Sequence, residues 1–278
     1  MNYLELTLIL AGSSFIAGLL GALTGLGGGV VIVPLLTLGL GIDLRYAVGA
    51  SLVAVIATSS GAAAAYVKEG YTNIRIGMFL TIATTIGALV GAYLAGILST
   101  KIIAIIFGVV LIYSAYLSNK SKEEHSDDEE PDPIAVRLRL NCTYPTLSGE
   151  KHYNVDNVVA GFGLMGLAGI LSGLLGIGSG AVKVLAMDHA MKLPFKVSTT
   201  TSNFMIGVTA AASAGVYLMR GYIDPGIAMP VMLGILAGSL VGARLLMVFH
   251  PRVLRIVFGV VILVLGMEMI YNGITGRL

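Results

Sequence analysis

The 278-residue sequence has no tryptophan, a single cysteine and few charges, with Asp, Glu, Lys and Arg together making up only 12%. The lone Cys142 excludes an intramolecular disulfide and leaves any thiolate metal site without a second ligand. Soluble domains carry about a quarter of charged residues. At 12% charged and 56% hydrophobic, this chain is not an ordinary soluble domain. Its net charge is only +2 and its basic residues form no patch, so nucleic acid is not an expected partner. No Lys or Arg precedes the first apolar run, and that run passes into Gly25-Leu-Gly-Gly-Gly29 rather than a cleavage site. It reads as a first span, not a removed signal peptide. Walker, His-Glu-x-x-His and Gly-x-Ser-x-Gly sequences are also lacking, so neither an ATPase nor an intramembrane enzyme is indicated, and no cofactor is expected.

What the chain does have is long apolar runs. Leu4–Thr24, Tyr46–Val67, Ile76–Leu98, Ile102–Leu117, Val158–Ile177, Val197–Met219, Ile227–Phe249 and Val253–Ile270 approach or exceed the ~20 residues that cross a bilayer as helix. The chain also repeats itself. Residues 17–112 overlie 168–263 at a fixed offset of 151 with 28 identities in 96 positions. Chance in so Gly- and aliphatic-rich a chain gives roughly a tenth. The expectation is an all-α polytopic membrane protein of two tandem repeats, residues 1–118 and 157–278, each with four to five membrane segments. Such repeats are a mark of transporters whose halves rock about a central site.

Between the repeats lies the one long polar stretch, residues 119–156. It opens with the acidic run ending at Glu130, which reads as a solvated linker rather than a cation site. Ile134, Val136, Leu138 and Leu140 alternate with polar or basic residues and predict a strand. The turn-like Ser148-Gly149-Glu150 before Tyr153 predicts a small β-hairpin.

Each repeat runs from a full span into a glycine cluster and then a segment too short to cross alone. Val30–Gly41 covers about 18 Å at 1.5 Å per residue, against a hydrocarbon core near 30 Å. Counting that segment as a crossing puts eleven Lys and Arg on one side of the membrane and four on the other, with Lys183 and Arg244 inside spans. Omitting it divides them almost evenly. The positive-inside rule therefore favours five passes, a cytoplasmic linker and inverted repeats.

The glycine clusters, Gly25, Gly27, Gly28 and Gly29 in the first half and Gly176, Gly178, Ser179 and Gly180 in the second, predict broken helices at the centre. Unwound backbone at membrane depth persists only where protein or a cavity covers it. Its free N–H groups and half-helix N-terminus suit an anion. Tight helix crossing is the plainer use of such glycines. The polar run Ser198–Asn203 adds Thr200, Thr201, Ser202 and Asn203, and Ser51 is the repeat partner of Ser202. Hydroxyls and an amide can hold an oxyanion without charge, although helix–helix hydrogen bonding is an equally familiar role. Lys183, three residues beyond Gly180, replaces Ile32 of the first half and is the most deeply placed basic residue. A structural pair with Asp188 competes with a role in anion binding. Ala83-x₃-Gly87-x₃-Gly91-x₃-Ala95 and Gly234-x₃-Gly238-x₃-Gly242 are close-packing faces, between the halves or between the subunits of a homo-oligomer. Tyr66, Tyr71, Tyr217 and Tyr222 are expected as interface anchors.

Taken in order, Ala17–Gly29 with Val33-Pro34-Leu35-Leu36, Ala47–Ser51, Gly176–Gly180 leading to Lys183-Val184, Thr200–Thr209 and Phe258–Val261 resemble the sulfite exporter family of TauE/SafE-type permeases. The resemblance spans nearly the whole chain. It implies a permease of the cytoplasmic membrane moving a small sulfur-containing or carboxylated anion, such as sulfite, a sulfonate or sulfoacetate. Ser179 in place of a glycine and Leu185 in place of a proline depart from the pattern. A cation or metal transporter would need clustered carboxylates or His and Cys, whereas Asp43, Asp188, His189 and Glu268 are scattered. A membrane assembly factor without a transport cycle stays open.

Overall fold

A computed structural model describes residues 3–24, 28–68, 70–119, 132–146, 149–245 and 251–276. Helix α1 (Tyr3–Thr24) precedes a short α2 (Gly29–Pro34), which widens into a π-helical turn, Leu35–Gly39. Then come α3 (Leu44–Lys68), α4 (Ile74–Ile97) and α5 (Thr100–Asn119). Past the linker the same order of long, short, π and three long elements recurs. It comprises α7 (Val158–Leu175), α8 (Gly180–Leu185) with the π turn Ala186–Ala190, α9 (Phe195–Met219), α10 (Pro225–Leu245) and α11 (Pro251–Thr275). Among the described residues, Ile74–Ile97, Val158–Leu175, Phe195–Met219 and Pro225–Gly242 are long and apolar enough to cross a membrane.

The helix starts follow from local chemistry. The Asn73 side chain accepts the Ile76 N–H at 3.1 Å and caps α4. At the matching place in the second half Asp224 accepts the Gly226 N–H at 2.7 Å, and Pro225 opens α10. Such caps satisfy N–H groups that a helix leaves unpaired at its start.

Packing joins the halves crosswise. Helix α1 lies along α10 and α7 along α4, α3 packs on both α9 and α10, α4 also contacts α9, and α5 runs with α11. The small-residue faces make these contacts. A Cβ on Gly87 or Gly91 would run into the carbonyls of Gly166 and Ile170 on α7, and one on Gly234 or Gly238 into those of Ala11 and Phe15 on α1. Backbone therefore touches backbone, the close approach that small residues permit in membranes. The opposite side of α4 exposes Met78, Ile82, Ile86 and Tyr93, an outward apolar face that suits lipid rather than water.

The linker differs from its expectation in one respect. Pro133–Arg137 is a helical turn, α6, not a strand, because Asp132 accepts the Ile134 N–H at 2.7 Å and Pro133 occupies the first helical position. Ala135 and Leu140 are buried there while Ile134, Val136 and Leu138 are exposed, so the alternation did not mark a core-facing strand. The hairpin lies just beyond, β1 (Cys142–Thr146) pairing antiparallel with β2 (Gly149–Tyr153). Asn73 fastens this cap to the membrane helices, its Nδ2 donating to the Leu140 carbonyl at 2.9 Å and to Tyr153 Oη at 2.7 Å. Burial pushes the Tyr153 phenol above its usual range. Asn73→Ala should leave these acceptors and the start of α4 unsatisfied, lowering stability by about 1–3 kcal/mol and exposing the linker to protease. A melting temperature and digestion rate equal to the parent's would show that the cap is held by other contacts.

Candidate functional site

In the second half the chain leaves α7 through three left-handed residues, Gly176 (φ +68°), Gly178 (φ +71°) and Ser179 (φ +49°), before α8 starts. Left-handed backbone costs an L side chain roughly 1–2 kcal/mol, which glycine avoids. Space imposes the same choice. A Cβ on Gly176 would stand 2.9 Å from the Val48 carbonyl oxygen, and one on Gly178 would stand 2.8 Å from Ile206 Cγ2. The helix is broken here, as the glycine cluster predicted. In the first half Gly25 and Gly27 lie outside the described residues. Gly28 has helical torsions and caps α2. A Cβ on Gly28 would enter the Ile235 side chain, and one on Gly29 would stand 2.6 Å from Val55 Cγ2 and 3.0 Å from Ser51 Oγ.

Both paired serines stitch their helices to the Gly176–Gly180 break. Ser51 Oγ donates to the Gly176 carbonyl at 2.9 Å and lies 3.4 Å from that of Gly29, so a side chain from the first half holds the break of the second. Ser202 Oγ donates to the Gly180 carbonyl at 3.3 Å. Gly29, Ser51, Gly176, Gly178, Gly180 and Ser202 thus gather at one level between α3 and α9. Ser179 caps α8; it is 2% exposed, and its Oγ has no hydrogen-bond partner among the described residues. A buried, unpaired hydroxyl costs free energy and calls for an explanation.

One helical turn beyond Ser179, Lys183 has no solvent exposure. Its Nζ donates to Thr209 Oγ1 at 3.0 Å, and Thr209 Oγ1 lies 3.1 Å from Thr84 Oγ1 and 2.8 Å from the Met205 carbonyl. Asp188 is half-buried on the π turn and is not the partner of Lys183, which forms no ion pair among the described residues.

The polar run at the start of α9 divides. Thr200 Oγ1 donates to the Lys196 carbonyl at 2.9 Å, with the Tyr71 carbonyl 3.1 Å away, while Thr201 Oγ1 accepts the Asn73 N–H at 3.1 Å. These two hydroxyls hold the loop before α4, and only Ser202 reaches the glycine break. Asn203 is partly exposed. Of the tyrosines, Tyr217 is buried rather than interfacial, its hydroxyl donating to the Leu174 carbonyl at 3.3 Å. Tyr222 packs edge-on against both Tyr46 and Tyr217.

Sequence reading missed the Thr84–Thr209 pair. A signal was present: Lys183 and Thr84 stand where the other half has Ile32 and Ile235. At these positions, related by the 151-residue offset, two isoleucines stand opposite polar groups, and those groups meet through Thr209.

Residues 10–269 match the sequence profile of the family described as sulfite exporter TauE/SafE. The chain belongs to this family. It is 27% identical over 274 residues to the probable membrane transporter protein YunE of Bacillus subtilis (strain 168), covering 96% of this chain and 98% of that one. It is 28% identical over 271 residues to the probable membrane transporter protein MJ0441 of Methanocaldococcus jannaschii, with 92% of each chain covered. No solved structure matches. With its family and its apolar helices, this TauE/SafE chain is a multi-pass membrane transporter.

Proposed function

We propose that this TauE/SafE protein is a secondary permease of the cytoplasmic membrane that moves a small sulfur-containing or carboxylated anion through the paired glycine breaks. The observation that carries this reading is Lys183, wholly buried one turn from the unpartnered Ser179 hydroxyl, with a neutral threonine as its hydrogen-bond acceptor. A basic side chain so placed has no counter-charge among the described residues, and an anion supplies one. Ser179 and Lys183 form the centre of the site, Gly176, Gly178 and Gly180 give close backbone approach, and Ser51 and Ser202 fix its walls. Uptake of labelled sulfite, a sulfonate and sulfate into vesicles reconstituted with the purified protein tests the reading. Saturable uptake of at least one of these without ATP is expected, and vesicles no more permeable to any of them than empty ones would overturn it.

We further infer that the halves are inverted repeats. The crosswise packing, with α1 on α10 matched by α7 on α4, supports this. So does the division of charge. Arg45 and Arg220 bind carbonyls at the Leu98 end of α4, whereas Arg75 binds the linker's Arg139 carbonyl at the other end.

A further inference from the structure

A groove of about 570 Å³ lies between α1, the short α2 with its π turn, and α11. Its geometry is that of one membrane leaflet. At the inner end Ile16 and Val261 lie 13 and 14 residues from the ends of their helices, Tyr3 and Thr275. That places each about 20 Å along its own helix axis from that end. At the other end stands Asn272, three residues before Thr275. The 11 residues from Val261 to Asn272 span about 16 Å, close to half of a hydrocarbon core near 30 Å. Leu38 and Leu265 line the wall between them.

The groove is polar only toward the Asn272 end. Glu268 lines it, exposed, and its carboxylate forms no hydrogen bond or ion pair among the described residues. Asn272 Nδ2 donates to the Glu268 carbonyl at 3.0 Å, which leaves Asn272 Oδ1 as an acceptor. One carboxylate and one amide oxygen favour a cation with several N–H donors and repel an anion, so this groove is not a path for the transported anion. A soluble cation would make no use of the aliphatic wall between Val261 and Glu268, about 10 Å long.

We propose that the groove binds a phospholipid with a primary-amine headgroup, of the phosphatidylethanolamine class. Its acyl chain lies along Leu38 and Leu265, and its ammonium donates to Glu268 and Asn272. The inference does not rest on the permease reading and holds whatever the protein transports.

Native mass spectrometry of the detergent-purified protein tests it, with dioleoyl phosphatidylethanolamine and dioleoyl phosphatidylglycerol added in equal amounts. One phosphatidylethanolamine per chain should be retained, about tenfold over phosphatidylglycerol. Glu268→Gln should bring the two lipids near parity, and Leu265→Trp should lower both by filling the wall. If Leu265→Trp does not fold, Leu38→Trp reads the same wall. Parity of the lipids on the parent protein, an unchanged preference in Glu268→Gln, or undiminished retention in a folded tryptophan variant each overturns the proposal. So does free ethanolamine raising the melting temperature as much as the lipid, which would make this a site for a soluble amine.

Discussion

Lys183→Met should weaken anion binding at least tenfold while leaving the protein folded and as stable as the parent, or more so. A lysine at the centre of a membrane helix costs at least ~2.5–3.5 kcal/mol even on insertion scales, and here the amine is enclosed, with Thr209 Oγ1 as its acceptor. Methionine keeps the length of the side chain and removes that cost. It leaves Thr209 satisfied, since its hydroxyl still has the Met205 carbonyl 2.8 Å away. The loss falls on the ligand. A hydrogen bond to a charged group contributes about 1.5–3 kcal/mol, so the dissociation constant should rise by about 10–150-fold. Melting temperature and anion binding on the same preparation decide it. Stable Lys183→Met protein with unchanged affinity removes this residue from the site. A large fall in melting temperature would instead make Lys183 structural, and because Asp188 is not its partner, that fall should not be rescued by Asp188→Asn.

Among the described residues the eight long helices were legible as apolar runs, and four of them are long and apolar enough to cross a membrane. The boundaries Tyr46–Val67 and Leu44–Lys68, or Val197–Met219 and Phe195–Met219, differ by two residues or fewer at each end. The broken helix at Gly176–Gly180 was legible as well, since few other residues tolerate positive φ beside a neighbour's carbonyl. Hydroxyls were less legible. Thr200, Thr201 and Ser202 are consecutive, yet a helix turns successive residues by about 100°, so Ser202 meets Gly180 while Thr201 meets the loop at Asn73. Composition cannot tell a ligand-facing threonine from one that holds a loop, because both are short donors with an acceptor nearby. The linker turn at Pro133 was less legible, because Asp132-Pro133 is a start signal for helix that outranks four alternating apolar residues.

Gly178→Leu should abolish transport without preventing membrane insertion. The spans that direct insertion are untouched, so the protein should reach the membrane in normal amount. The break itself cannot form as it stands. Gly178 holds φ at +71°, and its missing Cβ leaves room that Ile206 and Val55 otherwise fill, at 2.8 and 3.2 Å. A left-handed leucine costs roughly 1–2 kcal/mol from backbone alone, and overpacking adds about 1–3 kcal/mol. Relief comes from pushing α8 away from α3 and α9, which carries Ser179 and Lys183 out of register with Ser51 and Ser202. Alanine at the same position keeps the backbone penalty and the Cβ contact with Ile206 but lacks leucine's outer three carbons, and should retain partial activity. Transport rates on equal amounts of inserted protein, with leucine, alanine and the parent compared, separate blockage from misfolding. Inserted Gly178→Leu protein that transports at the parental rate would show that the break is a packing device and that the anion passes elsewhere.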